Sequence, residues 1–260
     1  MLTRSVRGMG ARYDAGMSAE ATTRTAIENL LKAIESRDLR RVRRALHPSA
    51  RWQNIPHPAA EGREAVMVLL GGILCWSERV RWDLHHVSIE GANGSVERLD
   101  RFWLQGDEYA VACHGVFSVD IATRTVISVR DYVDLGEWRQ RVNPMLAAMA
   151  SRPGAAVVSA HLAAISTAAP LAIASHYALD AIIECPSGKI TGWDAIADYC
   201  EGLVAGPGCH LIWGNVSSRG AEEVMVEWRL PAGEGTPQSG CDTYEVRDGR
   251  ITKLVTTRHL

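Results

Sequence analysis

The sequence lacks the features that mark several classes of protein. Its six cysteines include no C-x-x-C pair, which disfavours a zinc site or a disulfide framework and favours reduced thiols. The net charge of -2 gives no reason to expect nucleic acid or an anionic membrane as a partner. No run approaches the roughly 18 apolar residues that a membrane helix needs. We therefore expect a cytoplasmic protein with neither nucleic-acid nor membrane partners.

What is present indicates an ordinary globular chain. Of the 260 residues, 47% are apolar and 22% are charged, and this length suits one domain or two. Residues 1–17 lack the apolar core of a signal peptide, and we expect them to form a disordered head.

Residues 18–150 predict helices followed by a sheet. Apolar residues recur at spacings of three and four over residues 18–44, with a break at 36–38, and a third helix is expected over 64–76. Residues 80–134 alternate between apolar and polar and contain three turn signals, which predicts an antiparallel meander of about four strands. A short helical tail follows. The fold class is thus α+β, with helices covering one face of a curved sheet.

The second half of the chain resembles the first. After a linker signal at 151–154, residues 181–194 match residues 51–64 at an offset of 130, and residues 240–255 match 115–130 at an offset of 125. Such a repeat predicts two tandem domains, over 18–150 and 155–260, that form an intramolecular pseudo-dimer. A further homodimer is possible.

One predicted strand carries the chemistry of interest. Successive side chains in a strand alternate between faces, so Arg98 and Asp100 point the same way. A later strand-like run contains Asp131. If Asp131 reaches the same concave face, two carboxylates and a cation share a pocket suited to acid–base chemistry. The alternative for an isolated R-x-D pair is a surface salt bridge.

Four segments together carry a family resemblance. These are W-Q-N-I-P at 52–56, E-R-L-D at 97–100, G-V-F at 115–117 and V-R-D-Y-V-D-L at 129–135. Over residues 20–145 the chain resembles the limonene-1,2-epoxide-hydrolase-like branch of the NTF2-like (SnoaL) superfamily, and the second half resembles only the broader superfamily. The resemblance implies cone-shaped domains and an acid–base site that needs no metal or cofactor.

The same resemblance implies roles for particular residues. Asp100 would protonate the oxygen of an apolar epoxide, Asp131 would deprotonate the attacking water, Arg98 would bridge the two, and Asn54 would hold the water. Trp52 stands where the family has tyrosine, and an indole N–H donates a hydrogen bond but accepts none. This departure leaves the identity of the nucleophile open.

The candidate substrate contacts are Trp52, Tyr132 and Trp103. Packing is the alternative interpretation for Tyr132 and Trp103. In the second half, Glu184 aligns with Asn54 and Glu227 lies near Asp100, but Thr256 replaces Asp131. Either this half is a degenerate partner that supports the first, or it holds a second pocket that uses Glu184 and Glu227.

The leading functional hypothesis is an epoxide hydrolase of secondary metabolism that forms a vicinal diol. An epoxide-opening cyclase, which forms a cyclic ether as in polyether biosynthesis, is the alternative. A non-catalytic binding or dimerisation module is the third hypothesis, because this fold also serves without chemistry.

Overall fold

A computed structural model describes residues 18–231 and 238–259, so the head expected over 1–17 lies outside the described residues. The first half contains four helices and six strands in this order: α1 (Ala19–Ser36), α2 (Leu39–Ala45), β1 (Leu46–Ile55), β2 (Ala60–Glu61), α3 (Arg63–Leu74), β3 (Arg79–Glu90), β4 (Asn93–Leu104), β5 (Asp107–Asp120), β6 (Thr125–Val133) and α4 (Leu135–Ala150). The strands form one sheet in the order β2-β1-β6-β5-β4-β3.

The strands from β3 to β6 form the predicted antiparallel meander, and β1 runs parallel to β6. Parallel pairing places β1 beside the carboxyl-terminal half of β6, with Asn54 opposite Asp131. This pairing brings residues nearly 80 positions apart in sequence to the same part of the sheet.

Hydrogen bonds to neighbouring side chains cap the ends of the helices. The Ser18 side chain accepts a hydrogen bond from the Ala21 amide, which caps α1, and α1 ends where Arg37 adopts a left-handed conformation with a φ of 58°. Asp38 then caps α2, and Asp134 caps α4 by accepting from the amides of Gly136 and Glu137. The break between α1 and α2 lies at the predicted position, residues 36–38.

The apolar face of α1 packs against one face of the sheet. Ile27, Leu30 and Ile34 are buried there, together with strand residues such as Val96 and Phe117. Alternate residues of β4 are buried from Gly94 to Leu104, so the strand presents one face to this core.

The second half repeats this plan. Its elements are α5 (Gly154–Ser166), α6 (Pro170–Ala174), β7 (Tyr177–Cys185), β8 (Gly188–Thr191), α7 (Trp193–Ala205), a 3₁₀ turn (Pro207–His210), β9 (Ile212–Arg219), β10 (Glu223–Leu230), β11 (Gln238–Arg247) and β12 (Arg250–His259). The sheet order is β8-β7-β12-β11-β10-β9, which matches the first sheet strand for strand. The chain is therefore an α+β tandem of two similar domains.

The two halves contact each other through charged and apolar groups. Arg40 on α2 forms ion pairs of 2.5 Å with Asp198 and 2.7 Å with Glu201, both on α7. The Arg250 guanidinium lies 3.7 Å from the ring centroid of Trp76. These contacts join the halves within one chain.

The five cysteines with described side chains are free thiols: Cys75, Cys113, Cys185, Cys200 and Cys241. Within the described residues, no helix has the length and apolar character required to cross a membrane.

Candidate active site

A cavity in the first half contains the predicted acid–base residues. Trp52 and Asn54 enter it from β1, Asp100 from β4 and Asp131 from β6, because each of these strands turns alternate residues inward. The cavity has a volume of about 310 Å³. Most of the remaining wall is apolar, including Leu70, Ile73, Trp82, Phe102, Val111 and Trp138.

Arg98 joins the two carboxylates. Its Nε donates to Asp100 Oδ1 over 2.8 Å, and its Nη2 donates to Asp131 Oδ1 over 3.0 Å. The three side chains are deeply buried, with exposed fractions of 1% for Arg98, 6% for Asp100 and 4% for Asp131. The arrangement is an internal charge cluster, which excludes the alternative of a surface salt bridge.

The ring of Trp82 supports the guanidinium from one side. The Arg98 guanidinium carbon lies 4.4 Å from the Trp82 ring centroid and 5.8 Å from that of Phe117. Such cation–π contacts favour a desolvated guanidinium. Gly115 on β5 provides the space on another side, because a Cβ at that position would lie 2.3 Å from Arg98 Nη1.

The charges in this cluster shift the protonation of its members. Burial opposes the charge of Arg98, but the carboxylates of Asp131 and Asp100 raise the pKa of Arg98 above its ordinary value. Burial raises the pKa of Asp100 to about 7; Arg98 opposes this shift and the Asp131 carboxylate adds to it. A substantial fraction of Asp100 is therefore protonated near neutral pH and able to donate a proton.

Trp52 contacts Asp131 directly. The indole Nε1 donates to Asp131 Oδ2 over 3.1 Å, so each carboxylate oxygen of Asp131 accepts one hydrogen bond, from Trp52 or from Arg98. A carboxylate oxygen has two lone pairs, which leaves acceptor capacity on both oxygens. Asn54 lies beside Asp131 in the register of β1 and β6 and lines the same cavity.

Two predicted substrate contacts do not line this cavity. Tyr132 follows Asp131 on β6, so its side chain points to the opposite face, where it is 48% exposed. Trp103 follows the inward Phe102 and stacks with Arg79 on the outer face, 4.5 Å from the guanidinium carbon to the ring centroid. Strand alternation turns both side chains away from this cavity, so neither predicted contact is available within it.

Sequence reasoning also missed part of the cavity wall. The tail helix α4 contributes Leu135, Trp138 and Leu146, and Trp138 meets Phe102 edge-on with ring centroids 5.1 Å apart. The apolar residues of α4 were the available signal. Nothing in their spacing indicated that the helix would fold back over the sheet.

The second half does not hold the predicted acidic pair. Glu184 points away from the second cavity and forms a 3.1 Å ion pair with Lys253, and Glu227 is exposed on the outer face of β10. An offset of 130 would align Trp52 with position 182. In the structure, the inward residue of β7 that corresponds to Trp52 is the next one, Ile183. A one-residue change of register reverses every side chain on a strand, and this explains the error.

A different carboxylate occupies the second cavity. Asp242 on β11 is 5% exposed and was missed by sequence reasoning. Its Oδ1 accepts from Trp228 Nε1 over 2.9 Å, and its Oδ2 accepts from the Tyr244 hydroxyl over 3.1 Å. The alternating Asp242 and Tyr244 on one strand were the available signal.

Comparison with known proteins identifies both halves. Residues 21–142 match the family model described as the limonene-1,2-epoxide hydrolase catalytic domain, and residues 158–254 match that of the SnoaL-like domain. The chain is a tandem of these two domain types. We refer to residues 21–142 as the LEH-like domain and to residues 158–254 as the SnoaL-like domain. A search of curated proteins gives no match.

Solved structures with NTF2-like folds resemble one half of the tandem at a time. An LEH-like epoxide hydrolase of M. tuberculosis is 24% identical, with a TM-score of 0.40, and the match covers 48% of this chain and 92% of that one. A protein of Jannaschia sp. CCS1, described as a SnoaL-like polyketide cyclase, is 17% identical with a TM-score of 0.42. That match covers 52% of this chain and 97% of the other. Bal32a, from a soil-derived mobile gene cassette, is 18% identical with a TM-score of 0.42, covering 47% and 98%.

The two domains thus differ in the chemistry of their cavities. The LEH-like domain has Arg98 between two carboxylates. Among the described residues, the cavity of the SnoaL-like domain is lined by one carboxylate, Asp242, which is held by uncharged donors.

Proposed function

We propose that the LEH-like domain opens an apolar epoxide by general acid and general base catalysis, with water as the nucleophile and a vicinal diol as the product. The observation that carries this proposal is the buried guanidinium of Arg98, which is hydrogen-bonded to Asp100 and Asp131 at once. The family match supports the same class of reaction.

The proposed roles follow from the environments of the two carboxyl groups. Asp100 has a raised pKa and donates its proton to the epoxide oxygen while the carbon–oxygen bond breaks. A water oxygen bonds to the carbon from the opposite side, and its proton passes to Asp131. The reaction consumes one water, and the proton is finally returned from Asp131 to Asp100.

Arg98 keeps this exchange electrostatically balanced. Before the reaction Asp100 is neutral and Asp131 is charged, and afterwards the charges are reversed. Because Arg98 is hydrogen-bonded to both groups, one fixed cation neutralises the negative charge in either state. Preorganised charges of this kind need little rearrangement during the reaction.

The apolar wall limits the substrate. The cavity of about 310 Å³ is lined by Leu70, Ile73, Phe102 and Trp138, with polar groups confined to the carboxylate end. An apolar epoxide that fits this shape would place its ring oxygen beside Asp100, and Trp52 would narrow the space next to Asp131.

A second candidate reaction is intramolecular opening, in which a hydroxyl of the substrate replaces water and a cyclic ether forms. The Trp52 indole favours it, because its N–H already donates to Asp131 and cannot accept a hydrogen bond from a water. A substrate hydroxyl needs only the free acceptor capacity of Asp131.

Reactions in ¹⁸O-labelled water separate these candidates. The full chain would be incubated with apolar cyclic epoxides and with apolar epoxides that carry an internal hydroxyl, and the products would be analysed by mass spectrometry. Label in a diol supports hydrolysis, and an unlabelled cyclic ether supports cyclisation. Absence of turnover across both groups of substrates would contradict an enzymatic role and favour a binding module.

A further inference from the structure

The cavity of the SnoaL-like domain is larger than that of the LEH-like domain. Its volume is about 390 Å³, and helices α5, α6 and α7 enclose it against the second sheet. Aromatic and aliphatic side chains make most of the wall, including Ile165, Tyr199, Leu203, Trp213 and Leu254. A cavity of this size and character suits a small organic molecule.

Asp242 is the acidic residue of this cavity wall in the part of the chain that the structure describes. Trp228 and Tyr244 donate to its two oxygens over 2.9 and 3.1 Å, which fixes the plane of the carboxylate. Both donors are themselves buried. The carboxylate is therefore held in a defined orientation, and a further hydrogen bond from Thr256 still leaves it one lone pair for a ligand.

Asp242 differs from the acids of the first cavity in its counter-charge. Asp100 and Asp131 share Arg98, but in the part of the chain that the structure describes no lysine, arginine or histidine forms an ion pair with Asp242. Transferring an unpaired carboxylate from water into an apolar environment is costly, and uncharged donors recover only part of that cost. Asp242 thus lacks a counter-charge in direct contact, and the arginine of the cavity wall, Arg258, lies at the exposed end of β12 without forming an ion pair with it.

We propose that this cavity binds an apolar organic amine as its ammonium ion, with the charge placed on Asp242. The ammonium group would supply the missing counter-charge, and the aromatic faces of Trp213, Trp228 and Tyr199 would favour a cation over a neutral group. The apolar part of the ligand would occupy the space between the helices and the sheet. This site is separate from the proposed reaction of the LEH-like domain and does not depend on it.

The protonation of the neighbouring groups leaves Asp242 as the group that titrates near neutral pH. Burial raises the pKa of Asp242 to about 6, against the opposing hydrogen bonds of Thr256, Tyr244 and Trp228. The other ionisable side chains of the wall are His161, Tyr177, Cys185, Tyr199, Cys200, Tyr244 and Arg258. Burial lowers the pKa of His161 to about 3 and raises that of Cys200 to about 12.

Burial also raises the pKa values of Tyr177, Tyr199 and Tyr244 above the ordinary value. Raising the pH from 5 to 7.5 therefore charges Asp242 without changing these neighbours. Ammonium binding should strengthen as Asp242 ionises.

Calorimetric titration of the full chain tests the proposal. The probes are 1-adamantanamine and 1-adamantanol, which share a compact apolar skeleton and differ in charge. At pH 7.5 the amine should bind at least about tenfold more tightly than the alcohol. The substitution Asp242→Asn keeps the shape of the side chain and should remove this preference, whereas Asp100→Asn in the first cavity should leave it intact.

Several outcomes would overturn the proposal. Equal binding of amine and alcohol by the unaltered protein would show that charge plays no part, and loss of the preference in Asp100→Asn alone would move the site to the first cavity. If Asp242→Asn fails to fold, the pH dependence of binding by the unaltered protein tests the proposal instead. Its preference for the amine should fall about tenfold between pH 7.5 and pH 5, and a preference independent of pH would reject Asp242 as the partner.

Discussion

Asp100 and Asp131 share one guanidinium but occupy different environments. Within the described residues, Asp131 accepts from Arg98 and from Trp52, whereas Asp100 accepts from Arg98 alone and lies against an apolar wall. Fewer donors and deep burial favour the protonated form of Asp100. The two acids are thereby suited to opposite roles within one cavity, which is the arrangement that concerted acid and base catalysis requires.

The substitutions Asp100→Asn and Asp131→Asn should each lower the kcat for epoxide opening by about a hundredfold to ten-thousandfold, because each removes one proton-transfer group. Glu97→Gln is the matched control, since Glu97 is a neighbour of Arg98 on β4 but is exposed on the opposite face. Steady-state kinetics and circular dichroism on the three variants provide the measurement. Full activity in both Asn variants would exclude this site.

The activity should depend on pH through Asp100. Its pKa of about 7 means that the proton donor is lost as the pH rises, so kcat/KM should fall about tenfold per unit well above pH 7. A pH–rate profile from pH 5 to 9 on the unaltered protein measures this limb. A flat profile through pH 8 would show that Asp100 does not supply the proton.

Asp242 should make the stability of the protein depend on pH. Its pKa is about 6 in the folded protein and about 4 in an unfolded chain, so the folded state binds the proton more tightly. The stabilising contribution of the protonated form is complete below pH 4 and is lost as the pH rises through 6. The variant Asp242→Asn has no carboxyl group at this position and does not lose this contribution. The difference in free energy of unfolding between the variant and the unaltered protein should therefore change in favour of the variant by about 2 to 3 kcal/mol between pH 4 and pH 7. Denaturant titration at the two pH values measures this difference.

At the scale of strands, the two sheets use the same register to hold a carboxylate on different strands. In the first sheet Gly115 on β5 faces Asp131 on β6, and in the second sheet Asp242 on β11 faces Thr256 on β12. The carboxylate thus lies on the last strand of the first sheet's pair, β6, but on the earlier strand of the second sheet's pair, β11. The glycine leaves room for the Arg98 guanidinium, and the acid in its place forms the anionic centre of the second cavity.

Gly115→Ala should therefore abolish most epoxide opening without removing a polar group. The new Cβ would lie 2.3 Å from Arg98 Nη1 and 2.8 Å from Asp131 Oδ1, so the guanidinium must shift away from the carboxylates. Gly202→Ala in α7 is the control, because a Cβ there meets nothing within 4 Å and alanine favours a helix. Comparable kcat/KM values for the two variants would show that the space beside Gly115 does not matter.

At the scale of the whole molecule, the halves are joined by a small ionic network on α2 and α7. Arg40 contacts Asp38 on its own side and both Asp198 and Glu201 on the other, and only 14% of its side chain is exposed. Its acidic partners on α7 are largely exposed, so solvent and salt weaken the pairs.

Arg40→Gln should lower the free energy of unfolding by about 1 to 2 kcal/mol, because a network around a mostly buried arginine exceeds the value of isolated surface pairs. Arg24→Gln on the exposed side of α1 is the control and should change stability very little. Calorimetric unfolding at low and high salt is the measurement. A cost that is the same at both salt concentrations would contradict an electrostatic contribution.

Much of this organisation could be predicted from local patterns. The periodicities located α1, α3 and the meander, and the alternation of β4 placed Arg98 and Asp100 on one face. The same alternation, applied consistently, would have turned Tyr132 and Trp103 outward. Residue type alone, without strand geometry, made these two aromatic residues candidates for substrate contacts.

Other features depend on contacts between distant segments. A strand pattern does not determine which residue of a neighbouring strand lies opposite, and the register shifts along β7 and β12 moved Glu184 off the inward face. The fold of α4 over the first cavity depends on packing that no local spacing encodes.

The sequence by itself determined the tandem of α+β domains and the facing of the Arg98–Asp100 pair, because hydrophobic period and strand alternation act over a few residues. Only the tertiary structure decided that Asp131 meets Arg98 and that Asp242, without a cation, is the carboxylate of the second cavity. Both depend on strand register and burial, which arise when separate segments pack together.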